Sequence, residues 1–91
     1  MWEILFTKNA EKDKKCLKQS GLDKKAKQLL VVISNNPFQN PPSYERLIGD
    51  LEGYYSRRIN IQHRLIYRVD KDNKQIIIHS MLNHYEQLIL I

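Results

Sequence analysis

The sequence has little of the material from which several common classes of protein are built. Its single cysteine, Cys16, leaves no intrachain disulfide, and no group of cysteine and histidine residues has the spacing of a zinc site. The longest apolar run near its middle, Leu29–Ile33, has five residues, whereas a membrane-spanning helix needs ~20. Charges at Glu3 and Lys8 interrupt its beginning, which shows no signal-peptide pattern. These absences predict a cytoplasmic protein without a disulfide, a metal or a membrane span.

Size and charge narrow the class of partner. The 91 residues are enough for one small domain, and we expect residues 1–91 to form it with a single core. The net charge of +5 and the pI near 9.4 favour a polyanionic partner, either a nucleic acid or an acidic protein segment. A membrane surface is the weaker alternative because the apolar runs are short.

The arginines are confined to one part of the chain. All five lie between positions 46 and 68, and all ten lysines lie outside that span. Arginine has a planar fork of donors that can hold a phosphate through two parallel hydrogen bonds, whereas lysine is the usual residue for general surface charge. This separation predicts a dedicated anion-binding surface. The arginines are Arg46, Arg57, Arg58, Arg64 and Arg68.

The first half of the chain predicts one strand and two helices. The opening seven residues are rich in aromatic and branched side chains, as in a strand, and Asn9 can cap a helix that ends near Ser20. A second helix is expected from about Leu22 to Ser34 because apolar side chains recur on one face there. Those side chains are Leu22, Ala26, Leu29, Leu30 and Ile33.

The second half predicts short strands after a loop rich in asparagine and proline. Alternation directs Leu65 and Tyr67 toward a core and Arg64 and Arg68 toward the opposite, open face. The predicted fold class is therefore α+β, with the order β-α-α-β-β-β and both helices packed on one face of a small antiparallel sheet. The strands are expected near 45–47, 55–61, 63–70 and 75–81.

Five short motifs in a fixed order carry a resemblance to a known family. They are Asn-Pro-Phe at 36–38, Glu-Arg-Leu at 45–47, Leu-Glu-Gly-Tyr-Tyr-Ser-Arg-Arg-Ile at 51–59, His-Arg-Leu-Ile-Tyr-Arg-Val at 63–69 and His-Tyr at 84–85. In this order the chain resembles the Txe/YoeB-type toxins of the RelE/ParE superfamily, which belong to type II toxin–antitoxin systems. The resemblance implies a microbial-RNase or RelE-like fold.

The resemblance also implies an activity. It implies a ribosome-dependent endoribonuclease that cuts mRNA in the ribosomal A site, contacts ribosomal RNA and is held inactive by a cognate antitoxin. By position, Glu45 matches the family's general base, His84 its general acid and Arg64 the arginine at the scissile phosphate. Arg58 and Tyr85 match positions that line the substrate.

The chemistry of RNA cleavage fits these residue types. The 2′-hydroxyl of RNA is its own nucleophile, so a base, cations and an acid are sufficient, and no metal or other cofactor is expected. Adjacent aromatic side chains can stack on nucleobases, although one of two neighbouring strand residues must face the core. The predicted substrate-binding set is Arg57, Arg58, Tyr54, Tyr55, Arg68 and Tyr85.

The chain departs from the family pattern in three places. Arg46 stands where a proline often follows the glutamate, and Ile48 stands where a lysine is common. Residues 86–91 extend past the usual His-Tyr ending, and four of them in succession, Leu88–Ile91, are apolar. We expect this tail to be buried as an extra edge strand, against the helices, or in a contact with the antitoxin or a second copy. A homodimer and a toxin–antitoxin hetero-oligomer both remain open.

Two other functions remain alternatives to the mRNA interferase. One is a toxin of the same fold without nuclease chemistry, such as a ParE-type gyrase inhibitor, and the other is a non-catalytic RNA-binding module. The presence of both Glu45 and His84 in the family's order argues against them. His63 is predicted to be structural or partly buried, because alternation places it on the core side with Leu65, and His79 is predicted to be a structural or surface residue within a strand.

Overall fold

The computed structural model describes residues 1–82, which form two helices and a five-stranded sheet. Residues 83–91, and with them the predictions for His84, Tyr85 and the tail, lie outside the described residues. Along the sheet the strands stand in the order β1-β5-β4-β3-β2. The elements are β1 (Glu3–Phe6), α1 (Lys8–Ser20), α2 (Asp23–Asn35), β2 (Glu45–Arg46), a short 3₁₀ turn (Gly49–Leu51), β3 (Tyr54–Arg58), β4 (Arg64–Asp70) and β5 (Gln75–Ser80).

The first helix begins and ends at residues suited to those positions. The Thr7 side chain caps it by accepting a hydrogen bond from the Ala10 N–H at 3.1 Å, which corrects the prediction that Asn9 is the cap. Gly21 follows the helix with φ 78°, a left-handed conformation that glycine adopts without strain. The Thr7 hydroxyl also donates to the His79 carbonyl at 2.9 Å, and this bond ties the helix start to β5.

The sheet is mixed, although the predicted α+β class and the two helices on one face are confirmed. Strands β2 to β5 pair antiparallel, whereas β1 pairs parallel with β5 at the sheet edge. The prediction of a wholly antiparallel sheet was therefore wrong for β1, and the predicted order β-α-α-β-β-β is one strand short of the five observed. Side-chain alternation is the same in both kinds of pairing, so the sequence pattern does not distinguish them. The two helices connect β1 at one edge of the sheet to β2 at the other edge.

Each face of the sheet buries apolar side chains, but to different extents. The main core lies between the helices and the sheet. A smaller cluster on the other face joins Leu47 and Ile66, with Leu51 and Tyr54 packed against them. The face opposite the helices is therefore only partly open. Within residues 1–82, neither helix has the length and apolar character needed to cross a membrane.

A buried guanidinium fixes the loop between α2 and β2. Arg57 is fully buried, and its Nε–H donates to the Tyr67 hydroxyl at 3.0 Å. Its two Nη atoms donate to the carbonyls of Pro42 (2.6 Å), Pro37 (3.0 Å) and Gln39 (2.8 Å). The Tyr67 hydroxyl in turn donates to the Pro37 carbonyl at 2.8 Å. Arg57 thus satisfies loop carbonyls that have no strand or helix to bond with.

Replacing Arg57 should destabilise the whole domain. In Arg57→Ala, the carbonyls of Pro42 and Gln39 lose the Arg57 donor and the Pro37 carbonyl keeps only the Tyr67 hydroxyl, so we expect the free energy of unfolding to fall by about 3 kcal/mol or more. Arg58→Ala is the matched control, since Arg58 is adjacent and exposed, and should change it by about 0.5 kcal/mol or less. Urea unfolding followed by circular dichroism measures both. Equal losses in the two proteins would contradict a structural role for Arg57.

The Tyr67 phenol should give the protein a distinctive response to alkaline pH. Burial raises the pKa of Tyr67 above its usual value of 10.0, and the hydrogen bond and charge of Arg57 offset only part of that rise. The pKa of Tyr67 is higher in the folded protein than in the unfolded chain. The protonated phenol therefore contributes fully to the free energy of unfolding below about pH 10, and this contribution is lost as the pH rises through the pKa of the folded protein.

Tyr67→Phe tests this response. The variant should be about 1–2 kcal/mol less stable than the wild type at pH 8, because the Arg57 Nε–H loses its acceptor. The difference in free energy of unfolding between wild type and variant should narrow above pH 10, because only the wild type has a phenol whose ionisation destabilises the fold. Urea unfolding across pH 8–11 measures it, with Tyr44→Phe as a control that keeps the Arg57–Tyr67 contact. A difference that stays constant with pH would contradict the assignment.

Candidate functional site

The pairing of β2, β3 and β4 gathers polar residues on the face of the sheet opposite the helices. Glu45 pairs with Ser56, Ser56 with Ile66, and Arg58 with Arg64. Directly paired residues point to the same face, so these side chains share one surface. We call this surface the arginine face and define it by Glu45, Ser56, Arg58, Arg64 and Arg68.

The centre of the arginine face is an ion pair. Nη1 of Arg64 donates to Oε1 of Glu45 at 3.0 Å. The Arg64 side chain is only 8% exposed, whereas that of Glu45 is 47% exposed. The guanidinium is therefore enclosed by the protein, while nearly half of the Glu45 side chain is exposed to solvent. Sequence reasoning predicted both residues as catalytic, and the fold brings them into contact although they are 19 positions apart.

Two further arginines extend positive charge along this face. Arg58 lies directly across from Arg64, and Arg68 directly across from Tyr54. Both are exposed, in contrast to Arg64. The arginine face therefore presents one largely buried guanidinium at its centre and two exposed guanidinium groups further along the same face.

The hairpin turn between β3 and β4 keeps Arg58 and Arg64 opposite each other. The Asn60 side-chain oxygen accepts hydrogen bonds from the backbone N–H groups of Gln62 (2.9 Å) and His63 (2.7 Å). Asparagine is suited to such turns because its side chain substitutes for a backbone acceptor. His63 lies at the end of this turn, and its Nδ1 is 3.4 Å from the Leu82 carbonyl.

Two predicted substrate-binding residues lie on the other face of the sheet. Arg57 is enclosed by Tyr67 and the loop carbonyls, which engage four of its five N–H donors, so the prediction that it contacts substrate was wrong. Tyr55 packs edge-on against Phe38 and Tyr44, with ring centroids at 5.3 Å and 5.8 Å. It too is a packing residue on the helix side, and the stacking role predicted for it is corrected.

Tyr54 is the member of the tyrosine pair that the structure places on the arginine face. Its ring lies 5.2 Å from the ring of His79, tilted by 64°. The sequence predicts that His79 is a structural or surface residue. The alternation along β5 also indicates its face. Buried Ile76 and Ile78 face the helices, so positions 77 and 79 point to the other face of the sheet.

The described residues thus contain part of the predicted catalytic set. Glu45 and Arg64 are in contact, Arg58 is beside them, and His84 and Tyr85 are outside the described residues. The buried Ser56 hydroxyl, next to Glu45, has no hydrogen-bond partner within the described part of the chain. No group of three or more histidine, cysteine, aspartate or glutamate side chains in residues 1–82 could hold a metal ion.

Comparison with known proteins gives consistent results in sequence and in structure. The model of the YoeB-like toxins of bacterial type II toxin–antitoxin systems matches residues 6–85. A toxin YoeB of Streptomyces coelicolor is 38% identical over 76 residues, which cover 84% of this chain and 81% of that protein.

Solved structures of related proteins have the same fold. YoeB in a YoeB–YefM complex from Staphylococcus aureus is 39% identical, with a TM-score of 0.78, and the match covers 93% of this chain and 99% of that one. A YoeB dimer from the same organism is 39% identical with a TM-score of 0.79, and the match covers 92% of this chain and 98% of that one.

Proposed function

The chain belongs to the YoeB-like toxin family of bacterial type II toxin–antitoxin systems, and from this membership we propose that it is a metal-independent endoribonuclease that cuts mRNA on the ribosome. The observation that carries the proposal is the Glu45–Arg64 contact on the arginine face. It sets a half-exposed carboxylate beside a guanidinium that the protein holds rigidly. The carboxylate can accept a proton and the guanidinium can stabilise charge on a phosphate, and RNA cleavage needs both groups side by side.

In the proposed reaction, Glu45 accepts the proton of the ribose 2′-hydroxyl. The freed oxygen attacks the adjacent phosphorus, and Arg64, with Arg58, stabilises the negative charge that develops on the phosphate oxygens. The bond to the 5′-oxygen of the next nucleotide then breaks. The products are a 2′,3′-cyclic phosphate, or the 3′-phosphate formed by its hydrolysis, and a 5′-hydroxyl.

The leaving 5′-oxygen needs a proton, and we assign this step to His84. Histidine is the side chain that can supply a proton near neutral pH without a strongly shifted pKa. The assignment rests on the family's order of motifs, since His84 lies outside the described residues. Tyr85 is proposed to line the substrate beside it.

Dependence on the ribosome is consistent with the distribution of charge. Residues 1–30 contain eight lysines and four acidic residues, and the lysines of α1 and α2 lie away from the arginine face. Such a surface attracts the phosphates of ribosomal RNA irrespective of sequence. We propose that the helices bind ribosomal RNA while the arginine face receives the mRNA.

The catalytic assignment predicts large losses of mRNA cleavage. Glu45→Gln and His84→Ala remove the base and the acid and should each lower the cleavage rate by about 10²–10⁴-fold. Arg64→Ala should abolish most cleavage, and Arg64→Lys, which keeps the charge but loses the fork, should restore little of it. Purified ribosomes carrying a defined mRNA, with chemical identification of the RNA ends, provide the measurement. EDTA should leave the rate unchanged.

Arg46→Ala and Glu52→Gln are the matched controls. Both residues are exposed, and Arg46 pairs with Tyr55, which places it on the face opposite Glu45. Each control should cleave at nearly the wild-type rate, and circular dichroism should show every variant folded. Cleavage of mRNA by Glu45→Gln at the wild-type rate would show that Glu45 is not the base. Intact mRNA together with a DNA-damage response in cells would favour the ParE-type alternative.

A cognate antitoxin is the second proposed partner, and the related YoeB–YefM complex supports it. We propose that an acidic segment of the antitoxin covers the arginine face, where it neutralises charge and excludes RNA. The related YoeB dimer supports self-association as a further state of the free toxin.

Antitoxin binding should therefore weaken steeply with salt. Arg58→Gln combined with Arg68→Gln should weaken the affinity for the antitoxin encoded beside this chain and flatten its salt dependence. Lys24→Gln combined with Lys27→Gln removes the same charge from α2 and is the control. Isothermal titration at low and high salt measures both. An affinity that is equal at the two salt concentrations would exclude the arginine face as the target.

A further inference from the structure

A second cluster of functional side chains lies on the arginine face, away from the Glu45–Arg64 pair. Tyr54 and His79 form an edge-to-face ring pair with centroids 5.2 Å apart. Arg68 is directly across from Tyr54 in the β3–β4 pairing. Both rings are partly exposed and Arg68 is exposed, so a ligand can reach all three. We call these three residues the Tyr54–Arg68–His79 cluster.

An irregularity in the sheet lies at His79. Ile66 pairs with Ser80 and Tyr67 pairs with Ile78, so His79 is an extra residue on β5 without a partner on β4. Such a bulge redirects the side chain of the extra residue, and bulges are frequent next to binding and catalytic sites. Here it coincides with the contact between the His79 ring and Tyr54.

The register of the strands gives the distance from this cluster to the reaction centre. Tyr54 is two residues from Ser56, the partner of Glu45, which corresponds to about 7 Å along the strand. Arg68 is four residues from Arg64, or about 13 Å. The cluster therefore begins one side-chain repeat beyond the catalytic base, on the same face.

The charge of Arg68 is available to a ligand. Among residues 1–82, no carboxylate lies within ion-pair distance of Arg68. The nearby Asp70 carboxylate accepts hydrogen bonds from the Asn73 side chain (2.8 Å) and backbone (3.2 Å), which lower its pKa, and the charge of Arg68 makes a smaller contribution to that lowering. An exposed guanidinium beside partly exposed rings is the combination that single-stranded nucleic acids bind, through phosphate and base respectively.

We propose that the Tyr54–Arg68–His79 cluster binds a nucleotide of single-stranded RNA next to the scissile phosphate. The Tyr54–His79 ring pair stacks on its base, and Arg68 contacts its phosphate. This inference rests on the proposed function and adds to it a substrate-binding residue, His79, and a place on the sheet where a neighbouring base is stacked.

A short RNA with 2′-O-methyl groups tests the cluster independently of the reaction. Such an oligonucleotide lacks the 2′-hydroxyl nucleophile, so its dissociation constant reports binding alone. Fluorescence anisotropy with the purified full-length chain at several salt concentrations gives the affinity and its salt slope. We expect His79→Ala to weaken binding about 10-fold with an unchanged salt slope, since a stacking contact is lost. His79→Phe, which keeps a ring, should retain affinity.

Arg68→Gln should weaken binding and reduce the salt slope by about 0.7, the value for one contact to a single-strand phosphate. Lys24→Gln removes the same charge from α2 and is the matched control, which should change the affinity and the salt slope much less. Melting temperatures confirm that each variant is folded. A wild-type chain that does not bind the oligonucleotide at low salt would overturn the proposal. So would His79→Ala with unchanged affinity, or equal effects of Arg68→Gln and Lys24→Gln.

Cleavage of ribosome-bound mRNA separates this inference from the proposed function. In the variants, we expect KM to rise more than kcat falls. Absence of cleavage by the wild type, with oligonucleotide binding that depends on His79 and Arg68, would reject the nuclease and retain the cluster. Normal cleavage with variants that bind like the wild type would reject the cluster and retain the nuclease.

Discussion

The buried guanidinium of Arg57 is the interaction on which the arrangement of this site depends. The loop from α2 to β2 contains three prolines and has no strand or helix to satisfy its carbonyls. Arg57 gathers three of those carbonyls and the Tyr67 hydroxyl around one side chain. Strand β2 has only two residues, so its own pairing is a weak restraint on Glu45. The anchored loop delivers Glu45 to the sheet at the position where Arg64 meets it.

Strand geometry assigns opposite roles to neighbouring residues of the same type. Arg57 and Arg58 are adjacent, yet one is buried as a structural donor and the other is exposed beside Arg64. Tyr55 and Tyr54 are separated in the same way, one in the aromatic packing with Phe38 and the other on the arginine face. Because consecutive strand residues point to opposite faces, a run of similar residues serves both the core and the site.

The two surfaces of the molecule differ in the kind of positive charge they present. The lysines on the helices provide a diffuse attraction to phosphate, whereas the arginines on the opposite face are fixed at defined spacings by strand pairing. In the proposed function, the first surface brings the toxin to a large RNA and the second holds one strand for reaction. The Tyr54–Arg68–His79 cluster continues the second surface and would give it contacts with bases in addition to phosphates.

The sequence by itself determined the class of the fold and the residues from which the site is built. The spacing of apolar residues predicted the second helix, and residues suited to helix ends predicted the first. The confinement of arginine to positions 46–68 together with the family motifs indicated an anion-binding site at Glu45 and Arg64. These features are local, because side-chain periodicity and short motifs depend on residues close together in the chain. They were sufficient to predict that Arg64 and Arg68 face away from the core.

Only the tertiary structure decided which arginine is structural, how β1 pairs and which residues join the site. The partners of Arg57 lie 10 to 20 positions away, and no local pattern states that loop carbonyls will surround it. The parallel pairing of β1 with β5 joins residues 72 positions apart, and alternation is the same for either direction. The contact between Tyr54 and His79 joins residues 25 positions apart, on β3 and β5. Each of these features arises from contacts between distant segments, which form only when the whole sheet and its loop are assembled.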